Sequence, residues 1–325
     1  MAKRKPGDYI ALMLRGMAMG GADVIPGVSG GTIAFITGIY EELIQSIKSV
    51  NAGFFKTLFT EGITAAWQRI NGNFLLAVVT GILISIFSLA RLMSWLLANH
   101  PMLVWAFFFG LIVGSAFYIG RKVTKWTWQV VLLLLAGTTI AYYITIASPA
   151  SSPEDYWFVF LSGAIAFCAL VLPGISGAFI LVLLSKYEFM LNAVRDLQLS
   201  IIVVFATGGV IGVIAFSNVI AWLFKKYHNA TLAILSGFMI GSLNKLWPWK
   251  EVLETRINSQ GMEVPFLEKS ISPARYNEIF NSDPRYLELY GQQPYLATII
   301  ASALAGLALI LVFMFWATKQ KGLNK

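Results

Sequence analysis

The chain has 325 residues, 57% of them hydrophobic and only 12% charged, with a formal net charge of +8. Soluble domains carry roughly 25% charged residues, so this composition excludes a soluble globule. The basic residues sit in short clusters beside apolar stretches, which points to membrane orientation rather than to nucleic acid.

One cysteine, Cys168, excludes an internal disulfide, and two histidines with no Cys or His cluster give no metal site and no cofactor to expect. The basic start Lys3-Arg4-Lys5 runs into a stretch interrupted by Asp8, Arg15 and Asp23 without a small-residue cleavage site, so no cleaved signal peptide is expected.

In chain order, residues 8–44 read as two apolar helices of roughly 15 residues around a Pro-Gly break. Such a helix covers only ~23 Å of a ~30 Å hydrocarbon core, so the segment is expected to be a re-entrant hairpin. Residues 48–70, with Lys48, Lys56 and Arg69, read as an interfacial amphipathic segment against anionic headgroups. Full spans are expected at 73–97, 101–120 and 127–147. A second hairpin follows at 156–191, then spans at 199–224, 230–247 and 294–317. The charge-free runs Trp128 to Pro153, 26 residues, and Leu197 to Phe224, 28 residues, exceed the ~20 needed to cross a bilayer. Residues 156–172 could also reach across with tilted flanks; a hairpin and a pair of spans both return the chain to its starting side. The 248–293 loop, with five basic and seven acidic residues and scattered prolines, suggests short helices capping the outer face.

With both termini inside, 14 basic residues fall on the cytoplasmic side, which the positive-inside rule favours. The sequence also repeats. At an offset of 147, Gly20–Ile44 aligns with Phe167–Leu191 without gaps, with nine identities in 25. At an offset of 127, Thr80-Gly81 aligns with Thr207-Gly208, and Gly110, Gly114 and Ser115 with Gly237, Gly241 and Ser242. Each unit, 1–147 and 156–317, is thus a hairpin plus three spans. An odd number of crossings turns the second unit over, so the expected fold is an all-α integral membrane protein of two inverted-topology repeats in a single membrane domain. Inverted repeats with broken helices are characteristic of secondary transporters, whose substrate site lies near mid-bilayer.

The tips read Asp23-Val-Ile-Pro-Gly-Val-Ser-Gly-Gly-Thr32 and Leu170-Val-Leu-Pro-Gly-Ile-Ser-Gly-Ala-Phe179. Proline ends the first helix and glycine permits close backbone approach. Irregular backbone at membrane depth must be buried in protein or line a polar cavity. Ser29, Thr32 and Ser176 stand where an N-cap would start the returning helix, and freed N–H groups there suit an anion. One such motif alone would be read as packing and turn chemistry; two matched copies converging from opposite faces favour a shared anionic ligand. Gly30, Gly31 and Gly177 complete the candidate set, without the Lys of a Walker loop.

Charges inside apolar stretches are costly and are usually paired or functional. Arg15 and Asp23 lie in the first hairpin helix, and Arg91, in its span, either snorkels or contacts the ligand. Glu41 and Glu188 follow the matched Tyr40 and Tyr187 and suit either an interfacial role or coupling to a proton or sodium gradient. Lys186 is a further intramembrane charge. The repeats differ where charge matters: Arg15 matches Ser162, Asp23 matches Leu170 and Arg91 matches Asn218. Asp23 could pair an arginine when the site is empty.

The segment Arg15-Gly-Met-Ala-Met-Gly-Gly-Ala-Asp-Val-Ile-Pro-Gly-Val-Ser-Gly-Gly-Thr32, the Tyr40-Glu41 pair and Leu172-Pro-Gly-Ile-Ser-Gly177 resemble the bacterial polyprenyl-phosphate transporters of the PopT type, formerly a membrane family of unknown function. The resemblance covers essentially the whole chain. It implies a flippase rather than an enzyme, in the bacterial cytoplasmic membrane, that returns undecaprenyl phosphate from the outer to the inner leaflet for reuse in cell-wall synthesis. The main rival is a membrane polyprenyl-diphosphate phosphatase, whose motif Pro-Gly-x-Ser-Arg-Ser-x-x-Thr resembles the first tip. Here Gly30 and Gly31 replace its Arg and Ser, which removes the charge-stabilising arginine. A small-anion channel is disfavoured because no amphipathic pore-lining span recurs.

Overall fold

The computed structural model describes residues 4–23, 28–149, 152–257, 263–290 and 295–323. The first hairpin begins with α1 (Pro6–Asp23) and returns as α2 (Gly30–Ile36) and α3 (Tyr40–Lys48). The second is α9 (Tyr156–Val171), α10 (Gly177–Leu183) and α11 (Tyr187–Arg195). The returning arm expected as one helix of roughly 15 residues is therefore two short helices in each hairpin. The cause is local: Gly38 and Ser185, at the same offset of 147, have φ of +74° and +51°, and α10 meets α11 at 105°. A left-handed residue ends a helix because the backbone turns out of the hydrogen-bonded spiral.

Residues 48–70 form α4 (Ala52–Thr60) and α5 (Ile63–Arg69), which leave Phe59 84% and Ile63 76% exposed. The long helices are α6 (Gly72–Asn99), α7 (Pro101–Gly120), α8 (Trp128–Ile146), α12 (Leu199–Lys226), α13 (His228–Leu246) and α16 (Leu296–Leu323). Among the described residues, α7, α8 and α12 are each long and apolar enough to cross a bilayer unaided. α6 qualifies jointly with α5, with a bend of 72° between them. α13 carries Asn229, Ser236, Ser242 and Asn244 and packs against α7 and α8, so its polar side chains meet protein rather than lipid.

The two halves repeat element by element. α2, α3, α6 and α7 recur as α10, α11, α12 and α13 at the offsets read from the sequence. Packing follows the same rule: α1 lies on α6 as α9 lies on α12, while α7 pairs with α16 and α13 with α8. Reciprocal glycines bring these backbones together. A Cβ on Gly81 would strike the carbonyl oxygen of Met13, and one on Gly208 that of Phe160; Gly110 and Gly306 meet the carbonyls of Ala303 and Phe107. Lipid offers no hydrophobic drive between helices, so small residues at close backbone contacts supply the association. Gly110→Ala is therefore expected to cost about 1–3 kcal/mol through overpacking, seen as a lowered unfolding temperature of the detergent-solubilised protein.

The 248–293 segment departs from expectation. It opens with two antiparallel strands, β1 (Lys250–Ile257) and β2 (Glu263–Ser270), before the expected short helices α14 (Pro273–Ser282) and α15 (Arg285–Tyr290). The fold is thus mostly rather than wholly helical. The strand was hidden because its register shifts between Val252 and Glu254, a bulge that breaks the two-residue alternation. Trp249, Tyr276, Tyr286 and Tyr290 form a second core with Met102 and Trp105 of α7, which seats this cap on the bundle.

Candidate functional site

The first tip caps itself. Ser29 is extended, with φ −127° and ψ 140°, and its Oγ accepts from the amide of Gly31 at 3.1 Å. The Gly30 amide donates to Oδ1 of Asp23 at 2.6 Å. Amides expected to stand free for an anion are therefore occupied, one of them by a carboxylate. Among the described residues Asp23 pairs with the backbone amide of Gly30. Pro26 and Gly27 lie outside the described residues. At the second tip, Ser176 caps α10 by accepting from the Phe179 amide at 3.4 Å, and Gly174, at φ +84°, lies against the Phe238 carbonyl of α13, where a Cβ would come within 2.8 Å of the oxygen.

The two tips interlock. Ser29 Oγ donates to the Leu170 carbonyl at 2.9 Å, and Thr32 Oγ1 accepts from the Gly174 amide at 2.9 Å. Between them Gly31 lies against the carbonyl of Val171, with no room for a side chain. Ser29 and Thr32 are both fully buried. The structure thus brings together Ser29, Gly30, Gly31, Thr32 and Asp23 from one hairpin with the 170–177 segment that carries Ser176 and Gly177. The described backbone beside the two breaks, 28–32 and 173–177, is buried in protein, as irregular backbone within a bilayer has to be.

The remaining candidates lie elsewhere. Arg15 is half-buried on α1 about two turns before Asp23, within electrostatic reach of Arg4 and Glu42, and makes no hydrogen bond or ion pair to a described residue. Glu41 and Glu188 are both exposed. Arg91 lies on α6, and its side chain is outside those described. Lys186 is buried, donates to the Ser152 carbonyl at 3.3 Å and stacks on Phe189.

Three features escaped the sequence. Glu42, adjacent to the repeated Glu41, is the carboxylate with structural partners: it accepts two bonds from Arg4 at 2.7 and 2.6 Å and one from Asn71 at 2.7 Å. It has no repeat counterpart, its equivalent being Phe189, so repetition pointed to its neighbour. The hydroxyls of Tyr40, Ser85 and Ser217 are buried without hydrogen-bond partners among the described residues. The apolar helices that carry Ser85 and Ser217 offered no signal, and for Tyr40 the repeat at Tyr187 marked the residue but not its buried hydroxyl. The third is an ion cluster under the cap. Glu268 Oε2 lies 3.4 Å from Nζ of Lys250 and 3.8 Å from Nζ of Lys245, while Oε1 accepts from the Tyr290 hydroxyl at 2.7 Å. Lys250 also donates to the Lys245 carbonyl at 2.8 Å and sits 4.1 Å over the Trp105 ring. Burial pulls the Lys250 ammonium down to about 8. Burial would raise Glu268, but the two lysines and Tyr290 outweigh it and hold the carboxyl below its ordinary range. No group of three or more potential metal ligands occurs among the described residues.

A family model described as undecaprenyl phosphate translocase-like matches residues 19–264. A polyprenyl-phosphate transporter of Vibrio cholerae is 45% identical over 280 residues, covering 86% of this chain and 91% of the relative. A polyprenyl-phosphate transporter of Staphylococcus aureus is 31% identical over 254 residues, covering 73% and 85% respectively. No solved structure matches the chain. The match takes in both hairpin tips and every helix from α2 to α13, and the chain belongs to the undecaprenyl phosphate translocase-like family of membrane proteins.

Proposed function

We propose that this chain is a polyprenyl-phosphate transporter that carries undecaprenyl phosphate from the outer to the inner leaflet of a bacterial cytoplasmic membrane, with both termini cytoplasmic. The names of its relatives support the substrate. The observation that carries the mechanism is the interlocked pair of hairpin tips, buried and joined by side-chain hydroxyls to opposing backbone. Each such bond is worth only about 0.5–1.5 kcal/mol net, so the junction can open without large cost. Opening from one side uncovers the amides of Gly30, Gly31 and Gly174, the donors a phosphate needs, while the polyprenyl tail stays in lipid. Closing behind the headgroup and opening on the other side completes the transfer. The antiparallel contact of α7 with α13 supports repeats of inverted topology: Thr124 after α7 bonds Asn229 at the start of α13, and Phe109 of α7 stacks on Trp247 at its end.

In this cycle Asp23 is an internal stand-in for the phosphate. It holds the Gly30 amide when the site is empty and helps expel the headgroup by competing for it. Glu41 and Glu188, exposed on opposite hairpins, are our candidates for coupling to a proton or sodium gradient.

The test is leaflet-resolved uptake of labelled polyprenyl phosphate by proteoliposomes, with released phosphate assayed alongside. Wild type should move the lipid without releasing phosphate; release would make the chain an enzyme instead. Asp23→Asn should bind the lipid about tenfold more tightly and turn over more slowly, because a carboxylate acceptor is worth ~1.5–3 kcal/mol against a neutral one's ~1. Unchanged affinity and unchanged turnover would remove Asp23 from the cycle. Arg15→Ala tests whether its guanidinium, two turns from the tip and without a hydrogen bond to a described residue, also meets the headgroup.

A further inference from the structure

α7 and α13 run antiparallel, so their C-terminal ends lie at opposite ends of a pair roughly 30 Å long, at 1.5 Å per residue. Each of those ends carries a lysine directed at a hairpin aromatic ring. Lys245 Nζ lies 4.9 Å from the ring centroid of Phe179, in the first turn of α10. Lys122 Nζ lies 5.9 Å from the ring of Phe35, on α2, and 4.6 Å from that of Tyr118. Building on the transport cycle above, we propose that Lys245 and Lys122 are the docking cations for the phosphate headgroup, Lys245 on the cap side and Lys122 on the opposite face.

The geometry at Lys245 separates it from a structural lysine. Lys250 is the structural one: it is 3% exposed, bonded to a carbonyl and to Glu268, and packed over Trp105. Lys245 shares the same carboxylate oxygen at 3.8 Å, too far for a hydrogen bond, with its side chain 16% exposed. Its ammonium makes no hydrogen bond to a described residue, so among these its three N–H donors are engaged only by the 3.8 Å ion pair and the Phe179 ring. Glu268 would keep Lys250 and the Tyr290 hydroxyl if Lys245 turned away. One carboxylate between two ammonium groups also leaves an excess positive charge beside the second hairpin, which attracts a phosphomonoester dianion and offers nothing to a neutral lipid. The ring of Phe179 holds the ammonium at the hairpin until the phosphate takes it. Lys122, exposed at the other end, then receives the headgroup on the far face.

The experiment presents labelled polyprenyl phosphate to one leaflet at a time in proteoliposomes of known protein orientation. Lys245→Met should raise the lipid concentration for half-maximal uptake from the cap side about tenfold or more, as expected for a lost charged hydrogen bond, with the rate at saturation little changed. Lys245→Arg should restore most of the affinity. Lys122→Met should do the same for lipid presented on the opposite face only. A fall in rate at unchanged half-saturation, or equal effects from both faces, would mean that Lys245 only holds the cap in place and would overturn the inference. Binding of the lipid to detergent-solubilised protein, read without transport, keeps the two proposals apart. A wild type that binds but does not transport, with binding lost in Lys245→Met, sinks the carrier cycle and keeps the docking site; equal binding by both proteins sinks the docking site alone. Inorganic phosphate is the second arm: competition at the concentrations at which the lipid binds would make free phosphate the ligand and overturn the lipid assignment.

Discussion

Gly31→Val is expected to abolish transport while leaving the chain in the membrane. A Cβ at this position would enter the carbonyl of Val171, with its carbon at 2.8 Å and the Leu170 oxygen at 3.1 Å. These nearest atoms are all backbone, so no side chain can move aside to relieve them. The tips must part, and parting them breaks the Ser29–Leu170 and Thr32–Gly174 bonds. Overpacking costs about 1–3 kcal/mol and each lost bond about 0.5–1.5, which together shift the closed state by about 30-fold or more. Uptake by proteoliposomes should fall correspondingly, with Gly7→Ala as a control, since nothing lies within 4 Å of a Cβ there. Normal uptake by Gly31→Val would show that the cycle does not pass through the interlocked tips.

Glu268→Gln should loosen the cap. The substitution leaves the buried ammonium of Lys250 without a counter-charge and weakens the acceptor of the Tyr290 hydroxyl. Removing one partner of a buried pair typically costs about 3–5 kcal/mol. The signature is faster proteolysis within residues 250–290 of solubilised protein, with the helical bundle intact. Replacing the pair together, Glu268→Leu with Lys250→Met, should recover much of the loss, because an apolar pair of similar volume needs no charge compensation. The pH dependence has a defined sign. Glu268 is held below its ordinary 4.5, so its contribution is present above that value and is lost as acid protonates the folded carboxyl. Lys250 is drawn down to about 8, so between about 8 and its ordinary 10.5 the folded protein binds fewer protons than the unfolded chain, and cap stability rises with pH over that interval. Protease resistance that is flat below pH 4.5 would contradict the assignment.

Much of the junction between the tips was legible because its motif is repeated. Ser29, Gly30 and Ser176 sit in a motif that recurs at a fixed offset, and repetition marks what both halves need. Gly31 and Thr32 are not repeated, having Ala178 and Phe179 as counterparts, yet they supply contacts at the junction: Gly31 yields space and Thr32 a hydroxyl for the other tip. Repetition pointed to Glu41 and not to its neighbour Glu42, which bonds Arg4 and Asn71. A unique residue whose partners come from distant segments, such as Glu268 or Lys245, leaves no periodic trace.

By itself, the sequence determined the membrane class, the positions of the long helices, the two breaks and the internal repeat. These follow from local quantities: runs of apolar residues, a proline or glycine that cannot continue a helix, and identity at a fixed spacing. Tertiary structure decided that the tips lock to each other, that Asp23 fills the amide an anion would take, that α7 and α13 exchange partners between the halves, and that a strand pair opens the cap. The tip junction and the helix pairing depend on groups far apart in the chain and the strand pair on a bulge that conceals its own periodicity, while the Asp23–Gly30 contact spans only seven residues but depends on how α1 and α2 meet. Burial and hydrogen-bond satisfaction settle such questions only once the chain has closed on itself.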